Sequence, residues 1–266
     1  MRLSIIVPAC NEEHRIGKML DAYLPLFTKR FGTEVEFIIV VNGTDDKTEE
    51  VVLRYMEDFK QVRQIVEPGK IGKGGALMEG FEAAVGDLIG FVDADCATPP
   101  EAFERLVDDI GDADIIIASR WLPESEVTVK QTLRRRIASR CFNLIVRILF
   151  GIKSSDTQCG AKLMRGEAIK KVLPNLGVTQ WAFDVDLLFQ MRRLGYRMTE
   201  TPTKWHDVDG SQLKLGHASI DMLFALIRLR LLHSPFKGLI KLYIPALFPF
   251  VSRHPDKTPF RHKDNE

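Results

Sequence analysis

Short apolar runs rich in β-branched residues recur at 3–7, 37–41, 62–66, 88–92 and 115–118. Their length and composition predict buried strands. Between most of them lie amphipathic stretches of helical period, at 47–59, 75–85 and 100–110. Strand–helix alternation of this kind predicts an α/β fold, with a mostly parallel central sheet and helices on both faces. In such sheets ligands gather at the carboxyl ends of the strands. Asn11, Asn42 and the pair Asp93/Asp95 each follow a strand directly, so they are expected to share one rim.

The alternation breaks in the second half. Residues 130–152 form a long helical pattern with an apolar arc of Ile137, Cys141, Leu144, Ile145 and Ile148, opposite Arg136, Arg140, Asn143 and Arg147. The stretch 154–169 reads as loop and then strand, 181–196 as a helix with a polar start, and 198–205 as an edge strand. Pro202 carries that last reading, because it cannot donate to a ladder. A helix near 220–232 and an apolar segment at 236–251 form a C-terminal amphipathic portion before a polar, basic tail. The expected division is 1–215 for the main domain (halves 1–120 and 121–215), 216–252 for the amphipathic portion and 253–266 for a frayed tail.

Composition narrows the class only slightly. A net charge of +1 over 266 residues gives no global field that points to nucleic acid or an acidic substrate. Cys10, Cys96, Cys141 and Cys159 are far apart with no CxxC pair, which argues against a zinc site or disulfide framework and for reduced thiols in a cytoplasmic setting. The opening "MRLSIIVPACNEE" reads as a buried strand and not as a signal peptide. No stretch reaches the ~18 uncharged apolar residues of a membrane span, since Lys237, Lys241 and two prolines interrupt 236–251.

Three stretches carry chemistry. In "FVDADCATPP" (91–100), Asp93 and Asp95 repel each other unless a cation or hydrogen bonds compensate. They suit Mg²⁺ or Mn²⁺ held jointly with substrate phosphates, and they equally suit a solvated strand end. In "PGKIGKGGALMEG" (68–80), four glycines permit close backbone approach, and Lys70 and Lys73 precede a helix whose N-terminus favours an anion. The loop is neither a Walker A sequence nor a dinucleotide fingerprint. In "PACNEE" (8–13), Asn11 and Glu12 can bond a ribose or base, and Asn11 can equally cap a helix.

In this order and spacing, "SIIVPACNEE", "GKGGALMEG" and "FVDADCATPP" resemble the family 2 inverting glycosyltransferases of the GT-A fold. "SDTQCGAKLM", "WAFDVDLLF" and "WHDVDGSQLKL" resemble the dolichyl-phosphate glucosyltransferase and mannosyltransferase branch, the glucosyl form more closely. The resemblance implies that Pro8, Asn11 and Glu12 line the nucleotide pocket, with Lys73 and the loop after Val41 contributing. It implies Asp93 near ribose and metal, Asp95 as metal ligand, and Arg120, Arg135 and Ser139 on the acceptor phosphate. A lipid phosphate needs orientation more than deprotonation, and a planar guanidinium grips phosphate well. A sugar-hydroxyl acceptor would need a carboxylate base, for which Asp184 and Asp186 are candidates; both also suit the first turn of a helix.

Two departures qualify the match. Many relatives carry an acidic pair where this chain has Val41 and Asn42, so Asp45 or Asp46 is expected to take over base contacts. Ala97 and Thr98 stand where the mannosyl branch often has Gln-His, so water or a donor phosphate oxygen would complete the metal shell. This favours glucose and UDP-glucose over mannose and GDP-mannose. The expected activity is hexose transfer to a polyprenyl (dolichyl) phosphate at the cytoplasmic face of a membrane, with the basic, apolar helices lying in the headgroup plane. The alternatives are a soluble phosphate acceptor such as a phosphoglycerate, or a non-catalytic nucleotide-sugar-binding subunit.

Overall fold

The computed structural model describes residues 1–128, 133–177, 180, 182–206 and 217–234, the side chains at 133–136, 217–222 and 232 excepted. Trp181, the segment 236–251 and the tail therefore lie outside the described residues, as does the side chain of Arg135.

The apolar runs are strands: β1 Leu3–Ala9, β2 Val35–Asn42, β3 Val62–Glu67, β4 Leu88–Val92 and β5 Ile115–Ser119. The helices between them are α1 Ile16–Phe31, α2 Thr48–Asp58, α3 Gly72–Ala83 and α4 Pro100–Asp109. The second half adds β6 Glu126–Val127, α5 Leu133–Phe150, β7 Ala161–Arg165, α6 Gly166–Val172, α7 Phe183–Arg193, β8 Met198–Pro202, β9 Lys204–Trp205 and α8 His217–Leu232. Seven strands form one sheet in the order β3-β2-β1-β4-β7-β5-β8, and β6 pairs with β9 in a separate ribbon. The stretch expected as one edge strand at 198–205 is thus divided. Its first part is the sheet edge, with Pro202 opposite Ser119. Its second part belongs to the ribbon.

Strands buried on both faces lack polar alternation, because each face meets a helical layer. In β1, Ile5 and Val7 pack against the layer of α1, α2 and α4, where Tyr23, Phe27 and Phe103 lie. Ile6 joins the opposite core, with Leu77 and Phe81 of α3 and Phe183 and Leu187 of α7. The mostly parallel sheet with helices on both faces is as the sequence predicts. The helix α6 stands where the pattern read only loop and strand.

Only β7 runs antiparallel to its neighbours, pairing Val92 with Ala161 and Ile117 with Lys162. This places its beginning on the rim where β1, β4 and β5 end. Residue 160 therefore stands beside residue 93.

Two sets of hydrogen bonds lock that rim. The Glu13 N–H donates to Asp46 Oδ2 at 3.0 Å, and the Thr48 N–H and hydroxyl donate to Asp46 Oδ1 at 2.9 and 2.5 Å. The Glu12 N–H in turn donates to Thr48 Oγ1 at 2.7 Å. From below, the buried Tyr23 hydroxyl donates to the Thr98 carbonyl at 2.7 Å.

Burial pushes Asp46 up, but the donors from Thr48, Glu13 and Thr44 outweigh it and hold the carboxyl down at about 2, against an ordinary 3.8. A depressed folded value means stabilisation that is complete above about pH 4 and is lost as pH falls towards 2. Asp46→Asn should therefore flatten the acid limb of stability over that window, read as the denaturation midpoint against pH; an unaltered limb would count against the lacing role. Tyr23→Phe leaves the buried Thr98 carbonyl without its donor and should cost about 1–3 kcal/mol in urea unfolding.

Candidate active site

Asn11 opens the site by bending the chain at the end of β1. Its φ of 58° lies in the left-handed region, which Asn tolerates better than most side chains. Its Oδ1 accepts from the Asp45 N–H at 2.8 Å, and its own N–H donates to Thr44 Oγ1 at 3.0 Å. Helix α1 begins only at Ile16 and has no side-chain cap, so the capping alternative for Asn11 falls away. Glu12 instead turns to Arg15, which forks onto its carboxylate at 2.5 and 2.8 Å. Burial still raises the Glu12 carboxyl above its ordinary value, with Arg15 opposing.

Pro8 lies half-buried in β1 opposite Val40. Asn42 is buried, and its Nδ2 donates to the Ala9 carbonyl at 3.2 Å. It braces the ends of β1 and β2 against each other. Asp45 is exposed and pairs with Lys70 at 2.8 Å, joining the loops that follow β2 and β3. Of the two acidic residues expected to replace the missing pair, Asp46 is thus engaged with backbone and Asp45 lies on the open side.

The acidic pair itself sits in a tight turn. Lys73, in the first turn of α3, meets Asp93 Oδ1 at 2.5 Å. Asp95 Oδ1 accepts from the Ala97 N–H at 2.9 Å, and Cys96 between them has a φ of 58°. Two strained non-glycine residues, Asn11 and Cys96, are the ones with positive φ among the described residues, and both face this rim. The His206 N–H donates to the Ala97 carbonyl at 2.9 Å and ties the turn to the end of β9. Under Asp93 lies Gly160: a Cβ there would come within 1.9 Å of Asp93 Oδ2. The carboxylate lies against bare backbone.

The electrostatics follow from this crowding. Burial raises the Asp95 carboxyl, and the neighbouring Asp93 charge raises it further. Burial opposes the charge on Lys73, yet Asp93, Asp184 and Asp95 together hold its ammonium above the ordinary value. A cation beside Asp93 and Asp95 would relieve that repulsion, so the donor set fits a hard divalent ion. No group of three metal-ligating side chains occurs among the described residues. Such an ion would take its remaining ligands from phosphate and water.

Arg120 follows β5, and Asp156 holds it from Nε at 2.7 Å and Nη2 at 2.9 Å. Trp205 of β9 lies against the guanidinium, 5.3 Å from ring centre to Cζ. Burial opposes the charges on Arg120 and Asp156. Their mutual attraction outweighs it, raising Arg120 and lowering Asp156. Ser139 is half-buried on α5. Asp184 is buried and paired with the fully buried Lys162 at 2.5 Å. Asp186 is buried too, and accepts from the Gly177 N–H at 2.8 Å and from Gln190 at 3.1 Å.

The rim thus gathers Asn11, Glu12, Asn42, Lys73, Asp93 and Asp95, and Arg120 at the end of β5 joins them. Arg15, Asp156, Gly160, Lys162 and Trp205 had no role in the sequence reading. "SDTQCGAK" contains three of them, but without the partner strands nothing marks which side chains they meet.

Comparison with known proteins identifies the family and the fold. The pattern of the family described as "Glycosyl transferase family 2" matches residues 4–173. A dolichyl-phosphate beta-glucosyltransferase of Trichomonas vaginalis is 36% identical over 242 residues, 87% of this chain and 73% of that protein. One of Drosophila melanogaster is 37% identical over 227 residues, 80% of this chain and 69% of that protein. Among solved structures, the glucosyl-3-phosphoglycerate synthase of Mycobacterium tuberculosis in complex with Mn²⁺ and UDP-glucose superposes with a TM-score of 0.65. It is 20% identical, over 86% of this chain and 78% of that one, and shares the fold. By pattern and by relatives, the chain belongs to glycosyl transferase family 2.

Proposed function

We propose that the protein transfers glucose from UDP-glucose to dolichyl phosphate, with inversion at the anomeric carbon. The observation that carries this reading is the convergence of Asp93, Asp95 and Lys73 with Arg120 on one rim. Relatives that are dolichyl-phosphate beta-glucosyltransferases support it.

In this reading Asp93 and Asp95 hold Mg²⁺ or Mn²⁺, and Pro8, Asn11, Glu12, Asn42 and Asp45 shape the nucleotide pocket. The ion, when bound, neutralises charge growing on the departing diphosphate. Lys73, already beside Asp93, adds a fixed positive charge on the same side. The bond from the anomeric carbon to the diphosphate oxygen breaks as a lipid phosphate oxygen bonds that carbon from the opposite face, and UDP departs. That oxygen is already anionic near neutral pH, so no proton has to be removed. Arg120 gives Nε and Nη2 to Asp156, and among the described residues Nη1 has no acceptor, so we assign that edge to the acceptor phosphate. Arg135 and Ser139, both on α5, are assigned to the same phosphate.

The acceptor's lipid accounts for an otherwise costly surface. Of the twelve exposed large hydrophobic side chains among the described residues, seven lie on α5 and α8: Ile137, Leu144, Ile148, Leu223, Phe224, Ile227 and Leu231. No described helix is long and apolar enough to cross a membrane. We assign this face to the headgroup plane of the cytoplasmic leaflet, with the exposed Arg140 and Arg230 meeting anionic lipid.

A second reading, with a soluble phosphate acceptor, draws on the fold shared with the glucosyl-3-phosphoglycerate synthase. Two experiments decide. Purified protein with Mg²⁺ or Mn²⁺, UDP-glucose and dolichyl phosphate should form a glycolipid, and Asp95→Asn should lower kcat about a hundredfold or more with an unchanged melting temperature. Product from phosphoglycerate alone would overturn the lipid acceptor, and full activity in Asp95→Asn would remove the metal role. The chain should also float with vesicles containing phosphatidylserine, and Leu144→Glu with Ile148→Glu should lower the floated fraction several-fold; a chain that stays at the bottom favours the soluble acceptor.

A further inference from the structure

Asp184 lies near the donor site, but its carboxylate is turned into the protein. The carboxylate is almost fully buried at the start of α7, and its Oδ1 accepts from Lys162 Nζ at 2.5 Å. Lys162 has no exposed surface, and its second bond goes from Nζ to the Cys159 carbonyl at 2.8 Å. Cys159 immediately precedes Gly160, the backbone on which Asp93 rests. One ammonium therefore ties α7 to the strip that supports the metal-site carboxylate.

Phe91 shows how close the two ion pairs are. It stands opposite Lys162 across the antiparallel β4–β7 pair. Lys162 Nζ lies 5.3 Å from its ring centre and Lys73 Nζ lies 5.7 Å from it. The Asp184 charge acts on the Lys73 ammonium in the same direction as that of Asp93. Two lysines and two aspartates, Lys73, Lys162, Asp93 and Asp184, thus form a balanced set around one aromatic ring. Removing Asp184 leaves the Lys162 ammonium, which has no exposed surface, without its carboxylate, which is the costly way to break such a pair.

We propose that Asp184 is a positioning residue of the donor site, acting through Lys162 on the Cys159–Gly160 strip and through charge on Lys73, so that Asp93 keeps its orientation towards the nucleotide diphosphate. It is not a base for the acceptor. A phosphate acceptor already offers an anionic oxygen near neutral pH, and a carboxylate spent on a buried ammonium is badly placed to act as a base. The proposal rests on the donor-site reading above, and the test separates the two.

Calorimetry of UDP in the presence of Mn²⁺, on the full chain, is the first measurement. No binding by the unaltered protein would count against the donor site itself. Given binding, Asp184→Asn should weaken UDP affinity about tenfold and raise the KM for UDP-glucose in step, while the KM for dolichyl phosphate stays within twofold and the pH profile of kcat keeps its shape. A base would behave otherwise: kcat would fall, the acid limb of its pH profile would vanish, and UDP affinity would not change. Unchanged UDP affinity overturns the proposal whether or not kcat falls. If Asp184→Asn does not fold, Lys162→Met combined with Asp184→Asn removes the unpaired ammonium along with the tie to Cys159. The same split between donor and acceptor is then expected, and its absence has the same consequence.

Discussion

The direction of β7 is the constraint on which the rest of the site depends. Inserted between β4 and β5 and running against both, it brings its first residues to the rim where its neighbours finish. Gly160 can then lie against Asp93, and any larger residue there would displace the carboxylate. The same reversal puts Lys162 opposite Phe91, within reach of Asp184. A parallel β7 would begin at the opposite edge and would separate all of these groups. The proposed donor site is therefore a consequence of one strand's orientation as much as of its acidic pair.

Charge balance explains why so many groups crowd a small area without tearing it apart. Burial raises the Asp95 carboxyl, and the neighbouring Asp93 charge raises it further. Lys73 offsets part of this, while Arg15 occupies Glu12 and Asp156 occupies Arg120. Lys73, Glu12 and Arg120 thus each have a partner of opposite charge, which offsets the cost of placing them away from water. What remains is negative charge at Asp95, suited to a cation that arrives with a diphosphate. On the side proposed for the acceptor, Arg120 has its orientation set in advance, since a bidentate partner and an indole face hold the guanidinium. Preorganisation of this kind spares the ordering that binding would otherwise cost.

Much of this was readable in the sequence because it is local. Apolar runs bounded by polar residues mark β1 to β5, and a strand's end marks where Asn11, Asp93 and Arg120 emerge. Local pattern does not say which strands become neighbours. Asp156 lies 36 positions from Arg120, and Gly160 lies 67 from Asp93, so neither pairing leaves a trace in spacing. The end of β2 marks Asn42 as a rim residue; its hydrogen bond to the Ala9 carbonyl depends on how closely β1 and β2 finish together. Asp46 looked interchangeable with Asp45, yet only one of them meets the N-terminus of α2 and the backbone of Glu13.

Helix α5 shows a different limit. Its sequence has one evident apolar arc, and a globular fold would turn that arc inward. Instead Val146 and Phe150 are buried, with Phe142, Ile145 and Leu149 packed against the same core. Ile137, Leu144 and Ile148 from the arc stand exposed. Asn143 and Arg147 of the polar side reach the loop at 153–157, where Asn143 accepts from Thr157 at 2.8 Å and Arg147 donates to the Ser154 carbonyl at 3.1 Å. The polar side of α5 thus serves the protein, and the outward arc has no protein layer over it among the described residues. Helix α8 repeats the arrangement, with Leu226 and Leu229 buried and Leu223, Ile227 and Leu231 outside. Water is a poor solvent for such a surface and a bilayer interface a good one. The helix that carries the assigned phosphate ligands Arg135 and Ser139 also carries this arc. A lipid phosphate held by the first would have its hydrocarbon chain beside the second, so one helix can serve both the reacting headgroup and the membrane that supplies it.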